Sequence, residues 1–205
     1  MKLLPALLAL VAVVLHGCGD DDADIRPEGQ PEALPSRVEA VAPRQEDPAA
    51  RFCDVSAPAG EGRMLELPPL EGESAPTSGW RWINVWATWC EPCVEEMPLI
   101  ARWRERLAAD DAAIETFFLS VDRTEGEVSA FHALHPDAPS TSRIVDPDGL
   151  EGLVASLGLD AGATIPIHAL VDPEGHIRCV RTGSIAERDY TTVRAIIRGP
   201  GVLAP

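Results

Sequence analysis

Two cysteines separated by two residues, Cys90 and Cys93 in Trp89-Cys90-Glu91-Pro92-Cys93, are the side chains best placed for chemistry in this chain. At the start of a helix this spacing sets them one turn apart. The first then lies near the positive end of the helix dipole, among backbone N–H groups that have no helical partner. Both effects favour thiolate over thiol, and thiolate is the nucleophile of disulfide exchange. Attack on a substrate disulfide gives a mixed disulfide, which the second cysteine resolves. Pro92 suits the opening of such a helix, because it lacks an N–H that would be orphaned there. The same spacing is half of a zinc site, which needs two further ligands. Cys53 and Cys179 stand alone in the sequence, and no His lies at ligand spacing from the pair. No metal site and no cofactor are therefore expected, and so tight a loop opening a helix is an uncommon place for a purely structural bond.

The flanking sequence supplies elements to hold such a pair. Trp82-Ile83-Asn84-Val85-Trp86-Ala87 reads as a central buried strand. After Cys90 the period changes: Val94, Met97, Ile100, Trp103 and Leu107 fall at helical spacing, with Pro98 expected to kink the helix. Met64 to Leu67 reads as a short edge strand, and Ile114 to Val121 as a further strand. Glu125 to Leu134 reads as a helix with Val128, Phe131 and Leu134 inward and a Thr124–Glu127 capping box. Arg143 to Val145 is a short strand ending at the turn Asp146-Pro147-Asp148-Gly149, and Leu150 to Leu157 a short helix. Ile167 to Val171 and His176 to Val180 form a hairpin across Asp172-Pro173-Glu174-Gly175, and a last helix runs from about Ala186 to Arg198. This order predicts an α/β domain, a mixed β-sheet flanked by α-helices.

The whole chain has 205 residues, enough for one domain with a genuine core, and 45% of them are hydrophobic. Its net charge of −16 leaves no basic stripe for phosphates, so nucleic acid is not an expected partner. Residues 1–17 read as a signal peptide, with an apolar run from Leu3 to Leu15 too short for a good spanning helix. Leu15-His16-Gly17-Cys18 resembles the bacterial lipobox, with His16 in place of the usual small residue, which implies lipidation of Cys18. Residues 18–50 are acidic and proline-rich and read as a disordered tether, with a reach of roughly 30 Å for a flexible coil. The folded domain is expected over 51–205, exported to the periplasmic side of a bacterial membrane and lipid-anchored, where disulfides persist.

From Asn84 to Pro98 the run Asn-Val-Trp-Ala-Thr-Trp-Cys-Glu-Pro-Cys-Val-Glu-Glu-Met-Pro resembles the signature of the thioredoxin superfamily. More narrowly it resembles the exported TlpA/ResA group of membrane-attached reductants, which includes factors for cytochrome c maturation. The likeness continues through Thr164-Ile165-Pro166 and Leu170 to Ile177, and covers roughly Met64 to Arg198. It implies a thioredoxin-like fold and a cis Pro166 facing the cysteine pair. It also implies substrate contacts at Trp89, Thr164 and Ile165. Asn84 stands where thioredoxins carry a buried Asp, and an amide cannot titrate. The resemblance therefore assigns proton handling to Glu96, one turn beyond Cys93, while Glu95 faces solvent. His168 is expected to be structural, since strand alternation alone does not say which way it turns.

The implied partners are disulfide-bearing exported proteins and a membrane electron donor that re-reduces the dithiol. Two other functions fit the same pair: a dithiol oxidase, because direction depends on small differences in thiolate stability, and a Cu(I)-binding or metal-delivery module. With Cys18 lipidated and Cys90–Cys93 assigned, Cys53 and Cys179 form an even remainder, and a second disulfide between them is expected in an oxidising compartment.

Overall fold

The computed structural model describes residues 47–146 and 148–199. The expected signal peptide, Cys18, the expected tether as far as residue 46 and Pro147 of the Asp146–Gly149 turn lie outside them. Chain order runs α1 (Pro48–Phe52), β1 (Val55–Ser56), β2 (Leu70–Glu71), β3 (Trp80–Trp86), α2 (Glu91–Ala109), β4 (Ile114–Ser120), α3 (Glu125–Leu134), β5 (Thr141–Ile144), α4 (Gly149–Ser156), β6 (Ile167–Val171), β7 (Ile177–Thr182) and α5 (Tyr190–Arg198), the last preceded by a 3₁₀ turn at Glu187–Asp189. The strands form one seven-stranded sheet in the order β1-β7-β6-β3-β4-β5-β2. β3, β4 and β5 are parallel neighbours, whereas β6 runs antiparallel to β3 and β7 antiparallel to β6. This is the mixed, helix-flanked sheet expected of the sequence.

Alternation along β3 builds a core on each face of the sheet. Trp82 and Trp86 enter one cluster with Met97, Ile100, Trp103 and Leu107 of α2 and Val193, Ile196 and Ile197 of α5. Ile83 and Val85 enter the other with Leu153 and Val154 of α4 and Ile167, Ala169 and Val171 of β6. A strand covered on both faces reads as a continuous apolar run, which is why β3 stands out in the sequence. α2 continues unbroken through Pro98, which removes the hydrogen bond that the Val94 carbonyl would otherwise accept. At the far end of α2, hydrogen bonds from Tyr190 and then Arg194 hold the Asp110 carboxyl below its usual range and tie α5 to α2.

Several boundaries differ from the sequence reading. Packed chain begins ahead of Arg51: Asp47 caps α1, and Ala49 and Phe52 enter the core. Met64 to Leu67 is not a strand. Only Met64 bridges, to His176 at the tip of the β6–β7 hairpin, and Pro68-Pro69 then remove two donors. There Gly175 has φ +102°, a backbone conformation that favours glycine. α3 has the Thr124–Glu127 capping box and buries Val128 and Phe131, but Leu134 is 79% exposed. The helix ends at Leu134, and the next residue, His135, stacks on the Phe131 ring instead.

Candidate active site

Register brings the site together. In the sheet Trp86, the last residue of β3, pairs with Ser120, the last of β4, and Val85 pairs with Ile167, the first of β6. The residues after β3, the residues after β4 and the residues before β6 therefore share one edge of the sheet. These are Ala87 to Cys90, Asp122, and Thr164 to Pro166.

Cys90 is the N-cap of α2 and makes no side-chain capping bond, so its sulfur is left for chemistry at the helix N-terminus. Its carbonyl accepts from the Val94 N–H at 3.1 Å and its own N–H donates to the Ala87 carbonyl at 3.0 Å. Cys93 sits one turn on, bonded to Cys90 in a disulfide with a Cα–Cα distance of 5.3 Å. Both sulfur-bearing residues are buried, while Trp89 beside them is 68% exposed. The Ile165–Pro166 peptide is cis. Thr164 is exposed and Ile165 half-buried, which leaves backbone open beside the pair. A groove of about 570 Å³ runs between α2 and α3 and is lined in part by Thr88, Glu91, Val94, Glu95, Phe131 and Leu134.

Behind the disulfide lies a buried polar cluster. Glu96 is 4% exposed and faces into the protein, whereas Glu95 faces solvent. Glu96 Oε1 accepts from Asn84 Nδ2 at 3.1 Å, and Oε2 accepts from the Ile185 N–H at 3.2 Å. His168 pairs with Asn84 across β3 and β6, and alternation sends Ile167 and Ala169 to the other face. Its ring therefore turns toward α2, and Nε2 lies 3.3 Å from Glu96 Oε1. The sequence left open which way His168 turns, because strand parity cannot be set without the register.

Asp122 is a second residue that sequence reasoning did not single out. It is 3% exposed, yet its carboxylate accepts from the Thr88 N–H and hydroxyl and from the Ser120 hydroxyl. It thus anchors the turn that presents Trp89 and Cys90. The available signal was its position just past the carboxyl end of a parallel strand, where α/β sites gather. Asp122→Ala leaves these donors unpaired and is expected to lower stability by about 1–3 kcal/mol in urea titration, with Asp122→Asn losing less.

Cys53 and Cys179 form the second disulfide, joining the end of α1 to β7. Among the described residues, no group of three or more His, Cys, Asp or Glu is placed to hold a metal ion. No helix among them is long and apolar enough to cross a membrane.

No family model matches the chain. The thiol:disulfide interchange protein DsbE homolog of Paracoccus denitrificans is 26% identical over 145 residues, which is 70% of this chain and 73% of that protein. Thiol-disulfide oxidoreductase ResA of Bacillus subtilis is 26% identical over 128 residues, 62% of each chain. The chain is thus similar to thiol–disulfide oxidoreductases of the ResA and DsbE type. With respect to ResA, it spans about three fifths of the relative's length. The fold is shared with the crystal structure of a thioredoxin-related protein from Neisseria meningitidis serogroup B, with a TM-score of 0.52 and 22% identity over 63% of this chain and 98% of that one. In this chain Asn84 of β3 is hydrogen-bonded to Glu96 of α2, the helix that carries the cysteines.

Proposed function

We propose that this chain reduces disulfides of exported proteins through Cys90 and Cys93, in a setting such as cytochrome c maturation. In this reading the lipidated Cys18 holds it to the periplasmic side of a membrane, and a membrane electron donor restores the dithiol. The observation that carries the reading is the Cys90–Cys93 bond at the opening of α2, beside the exposed Trp89.

The reaction balances with two electrons. The Cys90 thiolate attacks one sulfur of the substrate disulfide, forming the mixed disulfide and releasing one substrate thiolate. Cys93 then gives up its proton and attacks Cys90 Sγ. The Cys90–Cys93 bond forms, and the second substrate thiolate leaves and takes a proton. Thr164 and Ile165 offer open backbone to an extended substrate segment, which would lie along the sheet edge by β-strand addition. Trp89 and the α2–α3 groove receive its side chains. Reduction rather than oxidation is supported by the likeness to the membrane-attached reductants.

Direction is tested by equilibrating the protein with glutathione or dithiothreitol buffers. A potential near that of thioredoxin, about −270 mV, is expected for a reductant; one near the strong periplasmic oxidants, about −120 mV, would make the chain a dithiol oxidase.

A further inference from the structure

The polar cluster behind the disulfide fixes the proton on His168. Trp82 Nε1–H, which can only donate, lies 3.2 Å from His168 Nδ1. Asn84 Nδ2 is 3.3 Å from the same nitrogen and 3.1 Å from Glu96 Oε1. A flipped amide would turn Oδ1 onto two acceptors, so these partners also set the orientation of Asn84. A ring nitrogen that accepts from an N–H carries no proton, and the proton of the neutral imidazole therefore resides on Nε2. Nε2 lies 3.3 Å from Glu96 Oε1, off-line for a hydrogen bond, and has no hydrogen-bond partner elsewhere. The whole group is sealed from water: Trp82, Asn84, Glu96 and His168 are each at most 4% exposed.

Every neighbour of Glu96 in this cluster is thus a donor: Asn84 Nδ2, the Ile185 N–H and His168 Nε2–H. That set suits an acceptor-only group, which is an ionised carboxylate. The remaining charged group that the sheet sets beside the ring is Arg181, opposite His168 on β7, whose guanidinium lies over the Phe52 ring.

We propose that His168 is a positioning residue for the dithiol, locked as the neutral Nε2–H tautomer so that Glu96 stands ionised and aimed one turn from Cys93. The proposal rests on the dithiol reading above and adds to it His168, which holds the proton-handling Glu96 in place. In the resolving step the Cys93 thiol passes its proton to Glu96, and the Cys93 thiolate attacks Cys90 Sγ. The Cys90–Cys93 bond forms as the Cys90–substrate bond breaks, and the substrate leaves as a thiolate. Glu96 returns the proton to that thiolate or to solvent. His168 does not relay it, because Nδ1 is covered by two N–H groups and Nε2 already holds its proton.

The test has two arms on the full chain. First, ¹⁵N NMR of the imidazole is expected to show the Nε2–H tautomer; a proton on Nδ1 overturns the lock. Second, the resolving rate of a preformed mixed disulfide is followed against pH. His168→Leu is expected to slow resolution about tenfold and move its pH profile, while Cys90 attack changes less than about threefold. His168→Gln, which restores a donor, is expected to recover most of the rate. An unshifted profile in His168→Leu, or no rescue by Gln, overturns the positioning role. If the variants fail to fold, the NMR arm on the unaltered chain still decides. Absence of disulfide exchange in the unaltered chain would overturn the dithiol reading itself, a result distinct from either of these.

Discussion

Cys90→Ser is expected to abolish disulfide reduction, with a fall of at least about 1000-fold, while Cys93→Ser is expected to capture substrate. The two cysteines occupy different places in α2, and the difference dictates the two outcomes. Cys90 is the N-cap, next to the exposed Trp89 and among helix N–H groups that favour a thiolate. Serine there has a hydroxyl that these groups cannot ionise, and losing the nucleophile removes about 4 kcal/mol or more of barrier lowering. Cys93 is wholly buried one turn along and acts only on the sulfur of Cys90. Its serine variant can still attack but cannot resolve, so Cys90 stays bonded to the substrate sulfur. Insulin reduction measures the first effect. A dithiothreitol-sensitive adduct on non-reducing gels measures the second and carries the physiological substrate with it. Adducts formed by Cys90→Ser but not by Cys93→Ser would reverse the assigned order of attack and sink the reading of the helix opening.

How much of this site could be read from sequence depends on the range of the interaction. Cys90, Cys93 and Glu96 share one helix, where the 3.6-residue period places them without any knowledge of the rest of the fold. The Thr124–Glu127 cap is equally local. His168 is different. Its neighbours fix which face it takes, and the Asn84–His168 register joins residues 84 apart in sequence. Asp122 likewise matters only because Thr88, 34 residues earlier, is folded onto it.

The errors have the same origin. Period alone turns Leu134 inward, but the stacking of His135 on Phe131 leaves it without a surface to cover. The two-residue strands β1 and β2 have no period to detect, and each exists because a longer partner strand supplies its hydrogen bonds. The run from Met64 to Leu67 has strand-like residues but meets partner backbone only around Met64 and Leu65. Short edge elements are set by their neighbours, and the sequence of the element itself says little about them.

The largest stability effect is expected at the other disulfide. Cys53 ends α1, and Cys179 lies opposite Ser56 of β1, so the bond fastens the first segments of the domain to the hairpin across 126 residues of sequence. Constraint of so long a loop in the unfolded chain stabilises the fold by about 3–5 kcal/mol in the chain-entropy model. Non-covalent contacts add to this attachment, with Ala49 and Phe52 in the core. β1 pairs through two residues, Asp54 Oδ2 accepts from the Thr182 N–H and hydroxyl, and Arg181 Nη1 donates to the Phe52 carbonyl. The double variant Cys53→Ala/Cys179→Ala is therefore expected to lose about 3–5 kcal/mol in urea titration and to melt about 6–20 °C lower. Amide exchange should accelerate first in α1 and β1, since those elements then open without the rest of the sheet. Thiol exchange at Cys90 and Cys93 should stay within about twofold, because the bond lies outside the edge of the sheet that carries the pair. A loss below about 0.5 kcal/mol, or free thiols at both positions in non-reducing mass mapping, would show that this bond does not hold the domain.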